Sequence, residues 1–284
     1  MTPARDRGPA GRGRRPAPAP SSRAPRRHDP PATRGLGGEQ VEGRQAVAEL
    51  LAARRRPVVD VWVAADVDPA PAVDRIIALA ADAGVPVRRV NGARLAGEAR
   101  TGAPQGVLAH ARPLPEAELD DLCRAPSATG EPPFLLAVDG VTDPQNLGAL
   151  LRSAEGAGAT GAVLPRHRAV HVTAAVAKAA AGAIEHVPLA VVSGLPAALV
   201  RASSLGVWVV GLDPDGGQSL FDLAVADQPV AVVLGAEGRG LSRLARARCD
   251  VCCAIPLRGR LASLNVAAAG ALALFEVSRR RAGR

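Results

Sequence analysis

From residue 134 to the C-terminus, short and almost wholly apolar runs alternate with segments of helical length, and this alternation limits the fold more than any other feature. The runs at 134–139, 162–164, 187–192, 207–212, 230–234 and 251–255 lack a polar-every-second-residue pattern, so each reads as a strand buried on both faces. Helices are predicted over 147–157, 173–182, 195–204, 243–248 and 265–280. Strands alternating with helices imply a parallel sheet with helices on both faces. Aromatic residues are only 2% of the chain and Tyr is absent, so Ala, Val and Leu must fill the core.

The preceding residues form a second, smaller unit. A helix is predicted over 41–53, with Val47, Leu50 and Leu51 at helical spacing, then a strand at 58–64, a helix at 72–83 ended by Gly84, and strands at 85–90 and 106–110. These make a small α/β unit over 36–112. Residues 113–133 carry Pro113, Pro115, Pro126, Pro132 and Pro133 and read as an interdomain linker, with a short helix around 116–123. The larger unit then occupies 134–284.

Charge is unevenly placed. Of the formal +8, the first 35 residues hold +7, with nine Arg against Asp6 and Asp29. That segment is Arg-, Pro- and Gly-rich with too little apolar surface to offset ordering, so it is expected to be a disordered basic tail that favours polyanions with little sequence preference. Arg outnumbers Lys 34 to 1, a coding-composition bias that lowers the weight of any single Arg. No apolar run reaches membrane length and the N-terminus has no apolar signal core, so a cytoplasmic location and no membrane partner are expected. Cys249 and Cys252 have C-x-x-C spacing, but no second ligand pair follows, and Cys252 and Cys253 sit in a buried-strand pattern. No metal is expected.

Parallel sheets bind ligands beyond the carboxyl ends of their strands. Three polar segments follow strands here. The first runs Asp139-Gly140-Val141-Thr142-Asp143-Pro144-Gln145-Asn146-Leu147-Gly148 and on to Arg152; Asn146 is suited to cap the next helix, and Arg152 to reach back and hold a phosphate. The second, Leu234-Gly235-Ala236-Glu237-Gly238-Arg239-Gly240, has three Gly in six residues and one carboxylate, allowing close backbone approach to a ligand. It is neither a dinucleotide fingerprint nor a P-loop. The third runs from Ile255 through Leu257, Ser263, Leu264 and Asn265 into an Ala-rich helix that Ser263 or Asn265 can cap. Taken singly, capping and turn formation would account for most of these residues. His167, His171 and His186 have no catalytic setting in the sequence.

Together the three segments, in this order over about 132–280, resemble the SpoU (TrmH-type) 2′-O-methyltransferases of the SPOUT superfamily. The unit at 36–112 resembles the small RNA-binding domain of the RlmB-type subgroup, which methylates a guanosine of 23S rRNA. The resembling pieces are Val41-Glu42-Gly43-Arg44-Gln45-Ala46-Val47 and Gln105-Gly106-Val107; Pro104 departs from the subgroup, where His commonly stands. The resemblance implies a trefoil knot in the C-terminal unit, a homodimer, and S-adenosylmethionine held by Leu234, Gly235, Ile255, Leu257, Ser263 and Leu264. It ties Arg152 to activation of the 2′-hydroxyl, with Asn146, Glu237, Ser263 and Asn265 completing the catalytic set. A tRNA 2′-O-methyltransferase, an antibiotic-resistance rRNA methyltransferase and a non-catalytic RNA-binding ribosome-assembly factor are the alternatives.

Overall fold

The computed structural model describes residues 36–167 and 172–283. The expectation of a disordered tail at 1–35, and His171, therefore lie outside the described residues.

The chain opens with β1 (Gln40–Glu42), α1 (Arg44–Ala53), β2 (Val58–Ala64), α2 (Pro71–Asp82), β3 (Val87–Val90), α3 (Gly92–Glu98) and β4 (Val107–Ala111). The strands pair in the order β1-β4-β2-β3, antiparallel except for β2 with β3. Val61 and Val63 point to one face, where Val47, Leu50 and Leu51 of α1 and Val73 and Ile76 of α2 bury them. Each such side chain stabilises the fold by about 1.5–3 kcal/mol. Strand β1 and helix α3 were not anticipated; three and seven residues give little periodicity to read. The two resembling pieces meet here. Gly43 N donates to Val107 O at 3.2 Å, Arg44 N to Gln105 Oε1 at 3.1 Å, and Arg44 Nε to Gln105 O at 3.2 Å.

Residues 113–133, read as a linker with a short helix around 116–123, do carry such a helix and pack against the sheet that follows. Leu114 is part of the main core, Ala117 N donates to Leu189 O at 2.9 Å, and helix α4 (Leu119–Arg124) sets Leu122 and Cys123 against Leu135, Ala190 and Ala202. The prolines disfavour regular structure, but the apolar residues between them still find a surface to bury.

The larger layer follows as β5 (Phe134–Asp139), α5 (Pro144–Gly156), β6 (Gly161–Pro165), α6 (Ala174–Ala179), a 3₁₀ turn at Ala183–Glu185, β7 (Leu189–Val192), α7 (Leu195–Ser204), β8 (Trp208–Leu212), β9 (Gln218–Ser219), β10 (Val230–Gly235), α8 (Arg243–Arg246), β11 (Val251–Ala254) and α9 (Val266–Ala282). All pairings in this seven-stranded sheet are parallel, in the order β7-β6-β5-β10-β8-β11-β9. The parallel-sheet expectation therefore holds. The late strand β10 lies between β5 and β8, so the carboxyl ends of β5 and β10 are adjacent. Helices α5 and α9 pack close over them: a Cβ on Gly270 would lie 2.2 Å from Leu150 Cδ2 and 2.6 Å from Leu234 Cδ1.

The two layers join along a sealed polar seam. Arg56 donates to both carboxylate oxygens of Glu185, at 3.0 and 2.6 Å, and to Gly38 O and Arg112 O, while the two side chains are 2% and 1% exposed. Arg55 Nη1 donates to Ile184 O and Val187 O beside it. Among the described residues no helix is long and apolar enough to cross a membrane.

Candidate active site

Asp139 ends β5, and Pro144 opens α5 with a fixed φ and no N–H to satisfy. The cap is Asp143, whose carboxylate accepts from Gln145 N at 3.0 Å, not Asn146 as the sequence suggested. Asn146 sits inside the first turn, and its side chain is thereby released for other bonds. Its Nδ2 donates to Glu237 Oε1 at 2.6 Å, and its Oδ1 accepts from Asn265 Nδ2 at 3.1 Å. Asn265 does cap α9, accepting from Ala267 N at 2.8 Å and Ala268 N at 3.3 Å. One residue from each of the three motif segments thus enters a single hydrogen-bonded chain.

The Glu237 loop is folded back on itself. Ala236 and Gly240 exchange both backbone bonds, at 3.0 and 2.8 Å. Gly235 lies flush against it, so a Cβ there would lie 2.0 Å from Gly240 C. Asp139 anchors the far side by accepting from Ser242 N at 2.7 Å, a contact the sequence reading missed.

The third segment is open. Leu257, Leu261 and Leu264 are 39%, 80% and 41% exposed. Among the described residues, no hydrogen bond engages the backbone of 256–264. Ser263 is exposed and caps nothing; Asn265 holds that position alone. Apolar side chains beside unpaired amides and carbonyls suit a ligand with an adenine ring and a polar tail. The residues present therefore fit S-adenosylmethionine.

Arg152 does not reach back to the turn. It stands exposed six residues beyond Asn146, on another side of α5, and borders a groove with Gln45 and Glu49 of α1 and with Glu155 and His186. No bond joins it to the Asn146 chain among the described residues. Glu49 and Glu155 were not singled out in the sequence, and Gln45 only as part of the resembling piece at 41–47; docking of α1 beside α5 makes them neighbours of Arg152. His186 Nε2 lies 3.1 Å from Glu49 Oε2, and His167 is exposed.

Burial pushes the Cys249 thiol up to about 12, with Cys252 beside it adding to the shift, and pushes Cys253 up to about 11. Thiols held so far from ionisation are poor nucleophiles and poor metal ligands. Among the described residues, no group of three or more His, Cys, Asp or Glu could hold a metal ion.

The SpoU rRNA methylase family matches residues 133–275, and the RNA 2′-O ribose methyltransferase substrate-binding family matches residues 40–117. The chain belongs to the SpoU rRNA methylase family. It is an RNA 2′-O-ribose methyltransferase that depends on S-adenosylmethionine. It is 36% identical over 246 residues to the 23S rRNA (guanosine-2′-O-)-methyltransferase RlmB of Pseudomonas putida, covering 86% of this chain and 97% of the relative. It is 38% identical over 254 residues to an uncharacterized tRNA/rRNA methyltransferase of Mycobacterium avium, covering 89% of this chain and 81% of the relative. Among solved structures it resembles the SpoU methyltransferase AviRb of Streptomyces viridochromogenes in complex with AdoMet. The TM-score is 0.70 and the identity 25%, over 86% of this chain and 90% of that one.

Proposed function

We propose that this chain methylates the ribose 2′-hydroxyl of a guanosine in 23S rRNA. One observation carries the reading: Asn265, Asn146 and Glu237, from three segments that lie far apart in sequence, meet in one hydrogen-bonded chain at the carboxyl end of the parallel sheet. The guanosine and the 23S rRNA are taken from the name of the Pseudomonas putida relative, which aligns along nearly its whole length.

When bound, S-adenosylmethionine supplies an electrophilic methyl on a sulfonium, so the work left to the protein is alignment and removal of one proton. Leu257 and Leu264 would wall the adenine. Leu234, Gly235, Ile255 and Ser263 would hold the cofactor largely through backbone groups. The Arg152 guanidinium offers five N–H donors and no acceptor, which suits it to bind an anion and not to take a proton. It holds the RNA phosphate from the groove beside α1. Asn146 fixes Oε1 of Glu237 and leaves Oε2 to take the proton, while Asn265 and Ser263 order the loop around them.

The unit at 36–112 docks the RNA, and residues 134–284 contain the cofactor site. The segments around β10 and β11 thread as a trefoil knot, a reading supported by two late strands that each enter the sheet between strands already in place. The chain works as a homodimer in the cytoplasm. Leu272 and Phe275, exposed on one stripe of α9, support such an interface.

A second reading, methylation of tRNA, draws on the name of the Mycobacterium avium relative. The test is methyl transfer from labelled S-adenosylmethionine to 23S rRNA and to tRNA, both isolated from a strain lacking the gene, followed by mapping of ribose methylation. A single methylated guanosine in 23S rRNA is expected. Transfer to tRNA alone favours the second reading. Transfer to neither overturns both readings of the substrate.

A further inference from the structure

The two pieces of the smaller unit that resemble the family, at 41–47 and 105–107, have no part in the chemistry described so far. They meet around one loop, residues 99–106, which joins α3 to β4. Glu42 supports that loop from within. It is fully buried, yet no cation pairs with its carboxylate among the described residues. Neutral donors satisfy it instead. Oε1 accepts from Gln40 Nε2 at 2.9 Å and from Arg100 N at 2.6 Å, and Oε2 from Thr101 N at 3.1 Å and from the Thr101 hydroxyl. A carboxylate out of water must have its lone pairs filled, so these bonds fix the backbone at 100–101.

The outer side of the loop is set among cations from both layers. Arg44 of α1 donates from Nε to Gln105 O at 3.2 Å. Lys178, the chain's only lysine, reaches over from α6 and donates to Thr101 Oγ1 at 3.3 Å and to Ala103 O. Arg100 is exposed, and its side chain makes no hydrogen bond or ion pair among the described residues. Elsewhere exposed arginines lie against carboxylates, as Arg201 does against Asp120 and Arg279 against Glu276. Here three positive charges meet at most carbonyl and hydroxyl oxygens, and none is neutralised. The amides of Gly102, Ala103 and Gln105, all exposed, also donate to nothing among the described residues.

Unneutralised cations beside free amides, on a backbone held rigid from below, suit an anion that repeats along a strand. Phosphate oxygens take charge-assisted bonds from Arg and Lys and further bonds from backbone N–H groups. We infer that the loop at 99–106, with Arg44, Arg100 and Lys178, binds backbone phosphates of the substrate RNA where the strand passes from the docking unit to the catalytic layer. The inference rests on the reading that the unit at 36–112 docks RNA. Lys178 ties the loop to α6, which packs on α5 so closely that a Cβ on Gly148 would lie 2.3 Å from Ala179 Cβ. The phosphates held here belong to nucleotides flanking the one that reacts, and these contacts position the strand without reading its bases.

The test measures binding of the full chain to a stem–loop RNA spanning the mapped target, as a function of salt. Arg100→Gln and Lys178→Gln each remove one charge. Each should weaken binding about fivefold near 0.1 M salt and lower the slope of log affinity against log salt by about 0.7–0.9. The double variant should lose about twentyfold or more. The loss should fall on KM for RNA rather than on kcat, with S-adenosylmethionine affinity unchanged. Lys178→Arg keeps the charge and should keep the slope. Glu42→Gln separates the shape of the loop from net charge. Loss of a negative charge beside an RNA site would by itself tighten binding, but an amide nitrogen facing the donors at 100–101 loosens the loop, so binding should weaken. Where Glu42→Gln does not fold, Arg100→Gln decides, because that side chain supports nothing else. An unchanged salt slope in the double variant overturns this inference and leaves docking by the unit at 36–112 standing. A lower unfolding midpoint for Lys178→Gln with its slope unmoved makes Lys178 a tie between the layers only, and overturns it as well. No binding of the stem–loop by the unmutated chain at any salt overturns the docking reading with it.

Discussion

The Arg56–Glu185 seam and the Asn265–Asn146–Glu237 chain each tie together residues more than ninety positions apart, yet one is sealed and the other open. Arg56 and Glu185 are almost fully buried, and the guanidinium is further occupied by two backbone carbonyls. Asn146 is half-buried, Glu237 and Asn265 are exposed, and Glu237 keeps an oxygen without a partner. A buried charge pair is satisfied internally because anything else would leave a desolvated charge unpaired. A cluster open to solvent can leave hydrogen-bonding capacity for a ligand. The first arrangement holds two layers in fixed relation; the second is suited to chemistry.

The sharpest way to break the comparison is at the sealed end. Arg56→Ala should destabilise the protein by about 3–5 kcal/mol, because Glu185 is left buried and unpaired. Urea unfolding measures this, and a double variant Arg56→Met with Glu185→Leu should recover most of the loss. A midpoint unmoved by Arg56→Ala would mean the seam does not join the layers as described.

At the open end the effect should fall on rate instead. Arg152→Ala is expected to lower methyl transfer by about 10²–10³-fold with unfolding free energy essentially unchanged. Cofactor affinity by calorimetry should stay within a fewfold, because Arg152 borders the groove beside α1 and not the loops after β10 and β11. Near-normal turnover would remove Arg152 from the mechanism.

Gly235→Ala probes the boundary between the two behaviours. Its Cβ would meet the Gly240 backbone, so the loop carrying Glu237 must shift, at a cost of about 1–3 kcal/mol. Weakened S-adenosylmethionine binding together with reduced transfer is the expected result, and unchanged calorimetry would separate this loop from the cofactor site.

The smallest effect should come from the N-terminal segment. Deleting residues 1–35 removes seven net positive charges and should weaken RNA binding mainly at low salt, with a shallower dependence of affinity on salt concentration. Cofactor affinity and kcat at saturating RNA should not move. An identical salt titration for the two chains would mean that segment has no part in binding.

The parallel sheet was legible in the chain alone, because strands buried on both faces must be apolar at every position, and 134–138 and 230–235 carry that pattern without interruption. The three polar segments at strand ends were legible too, since they resembled the family's motifs in order, and one residue from each meets in the structure. The sequence could not decide the roles within those segments. Pro144 opens the helix and gives the cap to Asp143, and only then is Asn146 free to bond Glu237 and Asn265. The signal was present in Asp143-Pro144, but the partners of Asn146 lie 91 and 119 residues away, and nothing local encodes such a distance. The same limit hid the groove. Gln45, Glu49, Glu155 and His186 carry no common motif, and a proline-rich stretch concealed the packed segment around α4. Periodicity records which face of an element is buried. Which other element buries it, and which charges are then left unpaired beside Arg152, is decided only when the two layers close along the Arg56–Glu185 seam.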